Sequence, residues 1–467
     1  MNKKLRILFV LAIVALLFSP ACSSQGFTQV SGKDPIFPEG NKAEEAKDET
    51  SISNMTMSAV QEPKTITIAT FGGSLLDYDL IAQFNQDHND IQVELLDYGE
   101  LTGNNLESAM MRLHSDLLTP DAPDLVDVLG FGLNLDKYAQ LDVFEDLYTW
   151  IDNDSQISRE DFLPSVLSLM EHNGKLQAVM SGFSIKTMYM PQATANSLSR
   201  WEIADFVPYA NSVGRASLIV GTDETLDGER LLKQLCGTTI LSFVDFENAK
   251  AYFDSQEFRE LISLCKSLTS DQLDSPKVRL ASEWNFYEIQ YESYVMGESV
   301  SYVGFPTFGE YGFRHYINNQ ENYLAMASNG KHKAATWKFL KEVMDENYQK
   351  QRYSETVSPT AFPTNVAALD EMILQAKSDH YYTDEDGALK VFTAYGQYDY
   401  PYRPATEAEI AAVMQLIYSV DGIQGYDNVI SDIVLEETAS YFGDELSLHD
   451  TISIIQSRAS IYLAELN

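Results

Sequence analysis

The sequence predicts an α/β protein built as two lobes, and three observations carry that expectation. Residues 64–128 alternate short β-rich runs with amphipathic stretches, a pattern that implies a parallel sheet covered by helices. The folded part runs to roughly 400 residues, more than one hydrophobic core normally organises. Apolar stripes at helical spacing recur late in the chain, around Trp337, Ile410 and Ile452, and agree with two helix-covered lobes.

The chain opens on Lys3, Lys4 and Arg6, continues through an apolar run from Ile7 to Phe18, and reaches Cys22 by way of Ser19-Pro20-Ala21. Charge, then grease, then small residues make an export signal, too short for a permanent membrane span. A cysteine directly after the small residues marks Cys22 for lipidation. Ser19-x-Ala21 also suits an ordinary signal peptidase, which would release the protein instead. Residues 1–22 are thus expected to be a lipoprotein signal, placing the protein on the outer face of the cytoplasmic membrane, or secreted if Cys22 is not lipidated. Residues 23–63 are dominated by Ser, Gly, Pro, Lys and Glu and read as a disordered polar tether.

Beyond the tether, Thr65-Ile66-Thr67-Ile68-Ala69 predicts a first strand and Phe71-Gly72-Gly73-Ser74 a turn. Leu76, Leu80, Ile81 and Phe84 recur as a helix face, and Ile91, Val93 and Leu95 alternate as a second strand. Leu106, Met110, Leu113 and Leu117 give another helix before a third strand at Asp124 to Val128. Trp337, Leu340, Val343 and Met344 form one later stripe. Ile410, Val413, Met414 and Ile417 form the next, opened by a capping box of Thr406 and Glu409. Ser447 is positioned to cap the last helix.

Composition narrows the function. Hydrophobic residues make up 45% and charged residues 22%, ordinary for a globular protein. The formal charge of −37 would repel nucleic acid and anionic lipid headgroups, so neither is an expected partner. Three cysteines cannot make a disulfide scaffold, and whether Cys236 and Cys265 pair stays open. Seven scattered histidines show no metal spacing, so neither a metal site nor a cofactor is expected. Asp384-Glu385-Asp386-Gly387 lacks the later glutamate of a calcium loop. Nucleophile-elbow, HExxH and phosphate-loop motifs do not occur. No enzymatic activity is expected.

Several segments in order resemble the extracellular solute-binding proteins of bacterial ABC importers, the carbohydrate-type family 1 that includes maltose-binding protein. They are Phe84-Asn85 before Ile91-Gln92-Val93, Ala122-Pro123-Asp124-Leu125-Val126-Asp127, Phe144-Glu145-Asp146-Leu147 and Asn173-Gly174-Lys175-Leu176. Val303-Gly304-Phe305-Pro306-Thr307 and Ala334-Ala335-Thr336-Trp337-Lys338-Phe339-Leu340 complete the set. Met180 stands where the family commonly has proline. The resemblance implies a two-lobe periplasmic-binding-protein-like fold (type II) with three interlobe crossings and a central ligand cleft. It places the crossings near Gly182 to Tyr189, Gly304 to Gly312 and Ser358 to Pro363. The first lobe would take residues 64–183 with 312–358, and the second 189–304 with 362–467.

That family captures small polar solutes, most often sugars or oligosaccharides, and hands them to permease subunits. A monomer binding one solute is therefore expected. The alternative is an exported carbohydrate-active enzyme or a polysaccharide-capture protein. By resemblance the cleft would be lined by Phe71, Gly73, Ser74, Gly130 and Phe131 from the first lobe and Phe183 and Ser184 at the crossing. The second lobe would add Glu283, Trp284, Asn285, Tyr400, Tyr402 and Arg403. Aromatic faces suit the C–H patch of a pyranose, and planar polar groups suit its hydroxyls.

Overall fold

The computed structural model describes residues 63–465 except 73–74, 140, 214–217, 221–223, 226, 247, 269–276, 310–312, 356–358, 380, 384–388, 392–399 and 425–427. The signal, Cys22 and the tether lie outside the described residues, as do Gly73, Ser74 and the loop from Asp384 to Gly387. Among the described residues no helix is long and apolar enough to cross a membrane.

The first sheet starts with β1 (Lys64–Thr70), which leads through α1 (Tyr78–Asp87) to β2 (Ile91–Asp97) and through α2 (Leu106–Leu117) to β3 (Leu125–Asp127). Both neighbours run parallel to β1, as the strand–helix alternation requires. Each helix starts where a side chain satisfies free amides. Asp77 accepts from the N–H groups of Asp79 and Leu80, and Asn105 from that of Ser108. α1 turns Leu80, Ile81 and Phe84 into the core. Further on, α3 (Pro164–Leu169) leads into a small hairpin, Glu171–His172 with Lys175–Leu176. Its turn puts Asn173 and Gly174 at φ 54° and 75°, the left-handed conformation such turns need.

The second sheet is organised around β4 (Gly182–Pro191). The chain continues with β5 (Leu218–Val220), β6 (Val278–Glu283), α4 (Glu288–Met296), β7 (Val300–Tyr302) and β8 (His315–Glu321). β9 (Leu324–Met326) then returns to the first sheet, antiparallel to β3. α5 (Lys333–Met344) precedes the short β10 (Phe362–Pro363), and α6 (Glu407–Tyr418) precedes β11 (Val420–Ile423). One edge of β4 carries β10 and then β6; the other carries β8 and then β7. The faces of β4 also diverge. Phe183, Ile185 and Tyr189 join the core that begins at β1, whereas Met188 and Met190 join a second core with Trp201, Phe243, Phe258 and Ile455.

Three crossing segments lie side by side at one point: Gly182-Phe183, Gln320-Glu321 and Phe362-Pro363. The strand that lies beside Gly182-Phe183 there is Gln320-Glu321, not Gly304 to Gly312. Phe305 pairs antiparallel with Arg314, its N–H donating to the Arg314 carbonyl at 2.7 Å, and the Pro306 carbonyl accepts from the Thr239 hydroxyl. Val303 and Phe305 pack in the second core.

Asn322 fixes the first-lobe side of the hinge. It accepts from the Asp77 N–H at 2.8 Å and donates to the Ser181 and Tyr348 hydroxyls at 2.9 Å each. Ser181 bonds the Tyr353 hydroxyl, whose ring packs so closely that a Cβ on Gly182 would lie 2.6 Å from it. Asn322→Ala strands buried partners on three elements. It is expected to lower stability by about 2–4 kcal/mol in urea unfolding followed by tryptophan fluorescence.

Candidate ligand cavity between the lobes

A cavity of about 360 Å³ opens where the two lobes face each other at the hinge. The first lobe contributes Leu129, Leu133, Asn134 and His172. Gln320 and Tyr323 come from the second crossing, and Thr238, Ser242, Arg314, Tyr316 and Gln424 from the second lobe. Rings, amides and hydroxyls thus converge on one concave space, as in small-molecule sites generally.

Local chemistry explains how each wall is held. Asp127 ends β3 and caps the following turn by accepting from the Gly130 N–H at 3.1 Å. Gly132, at φ 61°, ends that turn and presents residues 133–135 to the cavity. Across the gap, Gly237 at φ 76° terminates a helix and brings Thr238 over the sheet. Arg314 donates from Nε to an Asp421 carboxylate oxygen at 2.9 Å and from Nη2 to the Asp421 carbonyl. Burial pushes the Asp421 carboxyl above its ordinary range, against the pull of Arg314. Next to it, His315 meets the Thr187 hydroxyl at 2.8 Å, and burial holds its imidazole down at about 4, hence neutral.

The residues expected from resemblance do not gather at this cavity. Phe71 packs half-buried on Phe131, with ring centroids 6.1 Å apart, and Phe131 is buried edge-on against Tyr98. Gly130 is needed for a different reason than approach to a ligand, because a Cβ there would lie 2.3 Å from its own cap, Asp127. Phe183 is fully buried against Phe362, and Ser184 donates to the Asn318 side chain at 3.0 Å. Asn285 accepts from the Tyr287 and Glu288 N–H groups in the turn that enters α4. Tyr402 is buried and donates to Glu288 at 2.8 Å. Tyr400 lies against Tyr294 and, with Arg403 in a two-pronged pair with Glu409, borders a separate shallow groove. Trp284 is half-buried at the end of β6 and does not line the cavity.

Glu283 belongs to a buried carboxylate cluster with Glu288 and Glu292. Neither of its oxygens makes a well-formed hydrogen bond, although the Tyr302 hydroxyl faces it. Burial, and then the charges of Glu292 and Glu288, push its carboxyl well above the ordinary glutamate range. Glu292 is raised chiefly by burial too, against a bond from Tyr189. Cys236 and Cys265 are both free thiols, which settles their pairing.

Two α/β lobes, three adjacent crossings and a cavity at the hinge define the type II periplasmic-binding-protein-like fold. Among solved structures the chain is similar to the sugar-binding protein MalE of Xanthomonas citri, at 13% identity and a TM-score of 0.52, covering 86% of this chain and 98% of that one. It is also similar to an ABC substrate-binding protein of Listeria monocytogenes in complex with cycloalternan, at 12% identity and a TM-score of 0.50, covering 86% and 99%. No protein-family profile matches the sequence, and no curated protein does.

A raised carboxyl binds its proton more tightly folded than unfolded. Its contribution is intact below the ordinary glutamate value of about 4.3 and is lost as pH climbs toward the raised one. Urea unfolding at pH 5, 7 and 9 should therefore show stability falling with pH. Glu283→Gln should flatten that slope and be the more stable protein at pH 9; an unchanged slope would remove Glu283 from the account.

Proposed function

We propose that the protein is an exported binding lipoprotein that captures one saccharide between its lobes and delivers it to an ABC importer. The observation that carries this reading is the position of the cavity. Its walls come from both lobes, and Gln320 of the second crossing lines it. Rotation about these crossings would close the walls on a guest. Tyr316 and Tyr323, both buried, border the cavity, while Asn134, Gln320 and Gln424 bring side-chain amides that can donate to and accept from hydroxyls. The sugar-binding neighbours of the same fold support the class of solute. In this reading Cys22 carries the lipid, residues 23–63 let the lobes reach the permease, and the guest leaves unaltered.

A thermal-shift screen of the full chain against mono- and oligosaccharides, amino acids and polyamines tests the class, since a native-state ligand raises the melting temperature. Only saccharides are expected to do so, and chromatography should recover them unchanged. With the best ligand in hand, Asn134→Ala and Gln424→Ala should each weaken binding about 2- to 10-fold in calorimetric titration. Trp284→Ala should leave the affinity within about twofold, because its ring lies off the cavity; the opposite pattern would move the site to the end of β6.

A further inference from the structure

The cavity between the lobes shows more hydrocarbon than an unsubstituted sugar would need. At about 360 Å³ it lies at the small end of ligand sites in general, which suits a single sugar unit with a short substituent. Six of its lining residues are apolar and only half-buried: Leu129, Leu169, Leu241, Val244, Phe246 and Ile423. They come from both lobes, so a guest held there would meet hydrocarbon from either side. The short 3₁₀ turn Thr239–Phe243 illustrates how the sequence arranges this. Residues three apart on such a turn share a face. Ile240 and Phe243 are fully buried in the second core, whereas Leu241 and Val244, offset by one residue, line the cavity half-buried.

The aromatic planes that suit an unsubstituted pyranose are largely withheld. Tyr323 is 4% exposed, and Tyr316, 5% exposed, has its ring against Gly422, where a Cβ would come within 2.7 Å of it. Phe246 supplies the one half-exposed phenyl ring among the described lining residues, and none of those residues is Asp or Glu. Asn134 and Gln424, half-buried beside the aliphatic side chains, can hold hydroxyls but give the hydrocarbon no counterpart.

Resting on the carbohydrate reading, we infer that the guest is a small sugar carrying a saturated hydrocarbon group. A short alkyl aglycone, the methyl of an acetyl group and that of a 6-deoxy sugar share this chemistry. The hydrocarbon packs against the half-buried aliphatic side chains as the lobes close, and the amides take the ring hydroxyls. Each methylene so buried adds about fourfold to the affinity.

Calorimetric titration of the full chain with D-glucose, D-galactose and D-mannose, each beside its 6-deoxy, 2-acetamido-2-deoxy and n-butyl glycoside forms, tests this and separates the three sources of hydrocarbon. At least one modified sugar should bind about 10-fold or more tightly than its parent, with a more negative heat-capacity change. Leu241→Asn should lose most of that gain, and Leu129→Asn should act in the same direction. Leu241→Met should keep it, because it restores hydrocarbon of similar volume. If the modified sugars bind no better than their parents, the aliphatic side chains only pack on one another when the lobes close; this inference is then overturned and the carbohydrate reading stands. Retention of the gain in both Leu241→Asn and Leu129→Asn overturns it as well. Binding of no sugar, plain or modified, overturns both.

Discussion

The structure depends on one strand that has no free side. β4 is paired along both edges and buried on both faces, so it is at once the middle of the second sheet and the first passage between the lobes. Its residues must therefore satisfy two cores in alternation. Phe183, Ile185 and Tyr189 serve one, and Met188 and Met190 the other. A slip of one residue would exchange every side chain between those cores, which is why the register of β4 fixes the relation of the two sheets. The polar network of Ser181, Asn322, Tyr348 and Tyr353 secures the end of this strand where it leaves the first lobe.

The cavity inherits its chemistry from the same arrangement. Tyr316 and Gln320, which line it, belong to the strand paired with β4, and part of its wall is a turn capped by Asp127. The carboxylates that crowd the rest of the sequence are spent elsewhere, on ion pairs, helix starts and the Glu283 cluster. What remains around the opening is neutral and adaptable, apart from a few nitrogen bases. Electrostatic contrast between surface and cavity is thus a property of the fold, not of overall charge.

Much of the architecture was legible in the sequence where apolar periodicity was strong. The strand–helix alternation from Lys64 to Asp127, the capping box of Thr406 and Glu409, and the Ser447 cap of the last helix all stand in the structure as read. β8 was not legible, and its composition explains why. His315-Tyr316-Ile317-Asn318-Asn319-Gln320-Glu321 has no apolar alternation, because its side chains serve the hinge and the cavity rather than a core. Missing that strand placed the second crossing too early, and with it Arg314, Tyr316, Gln320 and Tyr323 went unnoticed. Most of the residues expected at the ligand have structural roles of their own. Aromatic and polar residues beside turns are conspicuous in sequence, yet Phe131, Phe183, Asn285 and Tyr402 are consumed by packing and hydrogen bonds.

The first core does not stop at the hinge. It continues through Phe286, Tyr287 and Tyr402 to Ile410, Ile417 and Val420, and the Ser165 hydroxyl of α3 donates to the carbonyl of Ile417 at 3.0 Å. Grease and a hydrogen bond therefore bind the halves along a spine, as the pages of a book are sewn on one side. Any movement of one half against the other would have to carry this shared core with it.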